Sequence, residues 1–183
     1  MIRTRYFRSA ATALAVLAGS SGVSVWADDS VDMGSQMPQA QAVREGLFPE
    51  DQCKELEKAG MKCMGFKPAV RYSLPASSFE VGSAELPDLL RKQLDVFAEV
   101  LRTKKGSSQM VRVEGHADAS GTPEANQQLS QRRADAVKSY LVSLGADPGM
   151  LDAVGMGSKV PKVTGDPYAA ANRRVEIGRQ QTP

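Results

Sequence analysis

The run VRVEGHADASGTPEANQQLSQRRA, residues 111–134, changes its periodicity once, and that change limits what the chain can become. Val111 and Val113 alternate with Arg112 and Glu114, the period-two pattern of a strand with one buried face. A polar stretch with Ser120 and Gly121 interrupts the pattern. From about Glu124 apolar residues return at helical spacing: Leu129, Val137, Tyr140, Leu141 and Leu144, with Gly145 as the stop. A strand that passes through a short loop into a long amphipathic helix buries both apolar faces only when the helix lies back on the sheet.

A second helical stripe precedes it. Leu86, Leu90, Leu94, Phe97 and Leu101 recur at intervals of four, four, three and four, with Pro87 suited to the first turn and Lys104, Lys105 and Gly106 to the end. Short strands are predicted at 69–72, 78–81, 151–156 and 174–177, Pro75 separating the first two. Strands alternating with two helices predict an α/β fold of the α+β sandwich kind, a small mixed sheet covered on one face by helices. The regular patterns begin at Pro68, so residues 68–183 are read as the folded domain.

Upstream the chain reads differently. Arg3, Arg5 and Arg8 precede a short apolar core at 10–18, and Val25, Trp26 and Ala27 offer a cleavage point before Asp28. Residues 1–27 are therefore read as a secretory signal, an uncleaved anchor being the alternative because residues 23–26 extend the apolar stretch. Removing those three arginines from the 23 basic residues leaves 20 against 21 acidic ones, a net charge of −1. Such a balance gives no electrostatic case for nucleic-acid binding. Residues 28–41 are polar and aperiodic and are expected to form a flexible leader.

Cys53 and Cys63 follow the leader, and an oxidising compartment favours their pairing. In one continuous helix their Cα atoms would stand roughly 15 Å apart, beyond disulfide reach. Gly60 removes the difficulty by ending the helix in the left-handed conformation and turning the chain back. Residues 28–67 are thus read as a polar leader and a Cys53–Cys63 stapled segment. A redox-active pair is disfavoured because the spacing is not C-x-x-C.

Asp118 stands just past a strand end and Arg133 in the first turns of the helix that follows. Separately, Asp118 reads as a turn or capping residue and Arg133 as a solvated helix charge; a direct ion pair between them is a third reading. Together, around one polar loop, they suit a ligand that carries both an ammonium and a carboxylate. The first needs an acceptor-only group and the second a rigid two-pronged donor.

The segment GHADASGTPEANQQLSQRRADAVKSYL resembles the signature of the OmpA-like domain, and SFEVGSAEL, GMGSKVP and AANRRVEI match in order around it. The resemblance implies a βαβαββ arrangement and non-covalent binding of peptidoglycan through the diaminopimelate of its stem peptide. By position, Asp118 would take the ammonium and Arg133 the carboxylate. Asn126 and the backbone near Ala117 would line the site, with Ser78, Phe79 and Leu129 contributing. Arg173 and Arg174 match the family's NRR run, and Arg174 is read as supporting the site or the fold. Ala117 stands where the family usually has threonine, which removes a hydroxyl from the rim.

His116 is the only histidine, so a metal site or a histidine-based acid–base pair would have to be built without a second one. It is read as a packed residue at a strand end. No metal, cofactor or enzymatic activity is expected. The sequence reading is a periplasmic peptidoglycan-binding protein, in association with the outer membrane or free of it. The alternative is an envelope adaptor whose domain docks to a protein partner.

Overall fold

The computed structural model describes residues 30–65, 67–75, 79 and 82–180. The predicted signal at 1–27 and Ser78 lie outside the described residues, and of the strand expected at 78–81 only Phe79 is described, as a bend. Among the described residues the strands are β1 (Ser30–Asp32), β2 (Arg71–Pro75), β3 (Val111–His116), β4 (Leu151–Gly157) and β5 (Arg174–Arg179). The helices are α1 (Ala40–Leu47), α2 (Glu50–Lys58), α3 (Asp88–Arg102) and α4 (Pro123–Ser143).

The strands form one mixed sheet in the order β1-β2-β5-β3-β4. β1 runs parallel to β2 and β3 parallel to β4, while β5 is antiparallel to both of its neighbours. From β2 onward the element order is βαβαββ, the arrangement that the resemblance implies. Strand alternation divides the sheet. Tyr72, Leu74, Val111, Val113, Leu151, Val175 and Ile177 join Leu90, Leu94, Phe97 and Leu101 of α3 and Val137 and Leu141 of α4 in one core. Phe97 meets Tyr72 edge to face at 5.3 Å between ring centres. Emptying such a fully buried aromatic position to alanine costs about 3–5 kcal/mol.

The other face carries charges. Arg71 bonds Glu114 and Glu176, Arg112 pairs with Asp152 at 3.1 Å, and Arg174 bonds Glu176. Glu114 and Glu176 stand directly opposite each other in the β3–β5 register. Two like charges so placed repel, and the guanidinium of Arg71 bridging them removes that cost.

Residues 30–41 do not form the flexible leader expected for 28–41 from its composition. β1 adds a strand beside β2, Met33 is buried, and Met33 N–H donates to Ser73 O at 2.9 Å. Gln93 of α3, itself buried, donates to the carbonyls of Gly34 and Gln36. In α1, Val43 and Leu47 enter the core, and Tyr72 donates its hydroxyl proton to Ala42 O at 2.7 Å. No unit boundary therefore falls at 67/68: residues before Pro68 share the core with those after it. Three strand residues are too few for an alternation to be read, and α1 brings little apolar surface.

The stapled segment forms as its sequence requires. α2 ends at Ala59, Gly60 takes φ +74°, and the N–H groups of Gly60 and Met61 close on Glu57 O and Leu56 O. That reversal brings Cys53 and Cys63 into a disulfide with Cα atoms 5.2 Å apart.

Candidate functional site

α4 is placed by close contact with the sheet edge. Thr122 caps it, accepting from Ala125 N–H at 3.2 Å, and Pro123 occupies the first turn. A Cβ on Gly115 would lie 2.1 Å from Ser130 O, and one on Gly155 would lie 2.5 Å from Gln131 N. Only glycine lets the helix backbone approach β3 and β4 so closely. Side chains of α4 then satisfy the outer edge of β4. Gln131 donates to Ala153 O and accepts from Gly155 N, Gln127 donates to Gly155 O, and Ser130 accepts from Gly157 N. The helix has one register on the sheet, so Asn126, Leu129 and Arg133, spaced three and four apart, face the loop that leaves β3.

Asp118 sits in that loop and is 6% exposed. Its Oδ1 accepts from the backbone N–H of Ser120 at 3.0 Å and from the Ser120 hydroxyl, and its Oδ2 accepts from Arg173 Nη1 at 2.6 Å. Burial alone would raise the Asp118 carboxyl pKa. The Ser120 hydroxyl, Arg173 and the Ser120 amide outweigh it and hold the group below its ordinary value. Asn126 is buried and donates from Nδ2 to Asp118 O at 3.0 Å, which ties the loop to the first turn of α4.

Arg133 is 2% exposed. Its Nε donates to Ser83 O at 3.0 Å, and its guanidinium carbon lies 4.7 Å from the ring centre of buried Phe79. Burial, then Arg173 and Arg132, lower its pKa, while the charge of Asp118 raises it; an arginine so perturbed still carries its charge at neutral pH. A carboxylate and two guanidiniums are thus concentrated at one end of the sheet. Leu129 is half-buried one turn before Arg133.

Two further stretches matched by sequence, Ala117 and the arginine pair, are placed as follows. The Ala117 side chain is buried, and its N–H donates to Gly157 O at 2.8 Å, so this residue holds the loop by its backbone and its methyl group is not at the rim. Of the two adjacent arginines, Arg173 is the one that reaches the site. Arg174 opens β5 and turns to the opposite face, bonding Glu176 and Val160 O. Ser83 is a further addition, contributing through a backbone carbonyl that no side-chain pattern announces.

Among the described residues, one cluster of side chains of metal-ligand type stands apart from this loop. Glu114, His116 and Glu176 are buried and bring ligand atoms within 4.8 Å of one another. Arg71 and Arg174 already hold both carboxylates, and their charges oppose a further cation.

A sequence profile described as OmpA family matches residues 78–174, more than half of the chain. The chain belongs to the OmpA family. The OmpA-family match runs from the segment before α3 through to Arg174 and so contains Asp118, Asn126, Leu129, Arg133 and Arg173. A peptidoglycan-associated lipoprotein of Pseudomonas aeruginosa is 45% identical over 101 residues, covering 54% of this chain and 58% of that protein. Outer membrane porin F of the same organism is 46% identical over 77 residues, 40% of this chain and 22% of the porin. The chain thus spans little more than half the length of the lipoprotein and under a quarter of the porin. The crystal structure of the peptidoglycan-associated lipoprotein from Burkholderia pseudomallei superposes with a TM-score of 0.51 at 30% identity, over 56% of this chain and 87% of that one.

Proposed function

We propose that this protein binds peptidoglycan in the bacterial cell envelope, non-covalently, through the diaminopimelate of a stem peptide. The observation that carries the reading is the pair Asp118 and Arg133. Both are almost wholly buried, of opposite charge, and held around one loop by Ser120, Asn126, Ser83 and Phe79. Burial removes competing water, so an ammonium on Asp118 and a carboxylate on Arg133 gain more there than on an open surface. The names of the similar lipoproteins and porins support an envelope location associated with the outer membrane, and a place on its periplasmic side is part of this proposal. The role is binding rather than catalysis. An aspartate held below its ordinary pKa by an ion pair is a poor proton shuttle near neutrality, while it is a good permanent acceptor.

Sedimentation of the mature chain with purified sacculi tests the reading. Asp118→Ala and Arg133→Ala are each expected to weaken binding by about 2–4 kcal/mol, since each leaves a ligand charge unpaired in a desolvated place. Equal sedimentation of wild type and the double variant would reject the site.

A second reading, docking to an envelope protein, is favoured by one feature. α2 buries none of its residues, and Leu56, Met61 and Met64 around the staple are exposed, Met64 by 92%. Crosslinking in intact cells that recovers one dominant protein partner, with or without Asp118, would favour it.

A further inference from the structure

Beside the Asp118 loop runs the connection from β4 to β5, residues 158–173, and its tip is held rigidly. Asn172, fully buried, pins it from within: its Oδ1 accepts from Val163 N at 2.8 Å and its Nδ2 donates to Asp166 O at 2.9 Å. Asp166 shapes the turn, its Oδ1 accepting from Tyr168 N at 3.0 Å and its carbonyl from Ala169 N at 3.1 Å. Pro167 O accepts from Ala119 N at 2.9 Å, which fastens the tip to the residue after Asp118. On this fixed support Tyr168 is 64% exposed.

A single exposed tyrosine is ordinary on a protein surface. An aromatic ring held by a clamped turn and joined by a hydrogen bond to a binding loop is a different matter. Its backbone is already ordered, so a ligand that covers the ring meets little entropic cost. Tyrosine also suits a partner with one apolar face and a polar edge, because its ring and its hydroxyl serve the two separately. A pyranose ring has that character: C–H bonds on its faces, hydroxyl groups around its rim.

We propose that Tyr168, with Pro167, is a platform for a sugar ring of the wall's glycan strand, adjoining the place where the stem peptide is gripped. This inference rests on the peptidoglycan reading above and extends it from the peptide to the glycan. The spacing agrees. Adding bond lengths from Asp118 to the Ala119 amide, across the hydrogen bond and on from the Pro167 carbonyl puts the Cα atoms of Asp118 and Tyr168 at most about 10 Å apart, and the tyrosine side chain extends the reach further. A sugar is separated from the third residue of its stem peptide by three to four residue lengths, about 10–14 Å when extended. A peptide held at Asp118 and Arg133 therefore brings its own sugar within reach of Tyr168.

The test compares two probes by calorimetry on the full mature chain: a diaminopimelate-containing tripeptide without sugar, and the same tripeptide attached to its disaccharide. Wild type is expected to bind the second about three- to tenfold more tightly, the range of one aromatic contact. Tyr168→Phe should keep that advantage. Tyr168→Ala should abolish it and leave the affinity for the bare tripeptide unchanged. The platform is overturned if wild type binds both probes equally, if the advantage survives in Tyr168→Ala, or if Tyr168→Ala weakens both probes alike. Binding of neither probe by wild type would overturn the peptidoglycan reading together with the platform. Binding of the bare tripeptide without a gain from sugar would remove the platform alone.

Discussion

Arg173 donates from Nη1 to Oδ2 of Asp118 at 2.6 Å, so the acceptor proposed for a ligand ammonium is held by a cation of the protein itself. The pair is unequally buried, the Arg173 side chain being 37% exposed and that of Asp118 8%. A ligand ammonium must share or displace this guanidinium, which is free to swing toward solvent. A partly exposed pair is worth about 0–1 kcal/mol. Arg173→Gln is therefore expected to tighten binding of a diaminopimelate-containing tripeptide by about two- to fivefold, measured by calorimetry. A loss of affinity would mean that Arg173 contacts the ligand directly.

The sheet and its two long helices were legible because their periodicities are strong. Leu90, Leu94, Phe97 and Leu101 can lie on one side only of a helix, and Val111 and Val113 on one side only of a strand. Pro87 differs from expectation by one position, standing as an extended N-cap before α3 rather than within its first turn. β1 was hidden because three residues carry no readable alternation and the surrounding segment is polar. At the candidate site, Asp118, Asn126 and Arg133 were singled out through side-chain identity in a recognisable motif, and the fold brings them around one loop. Arg173 was matched but not assigned to the site. Arg173 and Arg174 are chemically the same, and the start of β5 decides which one points to Asp118. The carbonyl of Ser83 that orients Arg133 has no sequence signature at all.

Stability should depend on acid in a defined direction. Asp32, Glu114 and Asp118 all have pKa values below the ordinary range. For Asp32 the largest cause is the hydrogen bond from Lys162. For Glu114, burial pushes upward and is outweighed by His116, Arg71 and Arg112. In each case the unfolded chain takes up a proton first as pH falls, so the stability these groups contribute is complete above their unfolded values, about 4, and is lost as pH drops through the folded ones. Urea midpoints should stay level from pH 7 to about pH 5 and decline below about pH 4. Asp118→Asn and Glu114→Gln should each show a shallower decline than wild type. A variant curve parallel to wild type would separate that carboxylate from the acid response.

Gly115 sets how near α4 can come to β3, so it governs the distance between Asp118 on the loop and Arg133 on the helix. A methyl group there would meet Ser130 O at 2.1 Å and Ser130 C at 2.9 Å, both backbone atoms that cannot rotate away. Gly115→Ala should destabilise the fold by about 3 kcal/mol, at the upper end of overpacking. Whatever folded protein remains should bind sacculi more weakly, because the helix must move outward. Gly165→Ala is the matched control: nothing lies within 4 Å of its added methyl, and its effect should stay within about 0.5 kcal/mol. A mild Gly115→Ala variant with full binding would show that the helix can shift without disturbing the site.

The staple and the site should separate under reduction. Closing the short Cys53–Cys63 loop contributes at most about 3 kcal/mol in the chain-entropy model. None of the α2 residues is buried, but its first turn is tethered: Glu50 accepts from Gln109 and from Arg179, and Asp51 pairs with Lys104. Beyond that turn, the disulfide and the Gly60 reversal are the main supports of its C-terminal half. α1 is different, since Val43, Leu47 and the following Phe48 are fully buried beneath it. Reduction, or a Cys53→Ser, Cys63→Ser double variant, should therefore loosen the C-terminal half of α2 and the turn after it and leave α1, the sheet and the Asp118 loop intact. The expected readout is faster amide exchange at 54–65 with unchanged protection in β3 and α4, and wall binding equal to that of the oxidised protein. If binding to sacculi falls with the staple, the stapled segment is part of the binding surface and the docking role proposed for it must be redrawn.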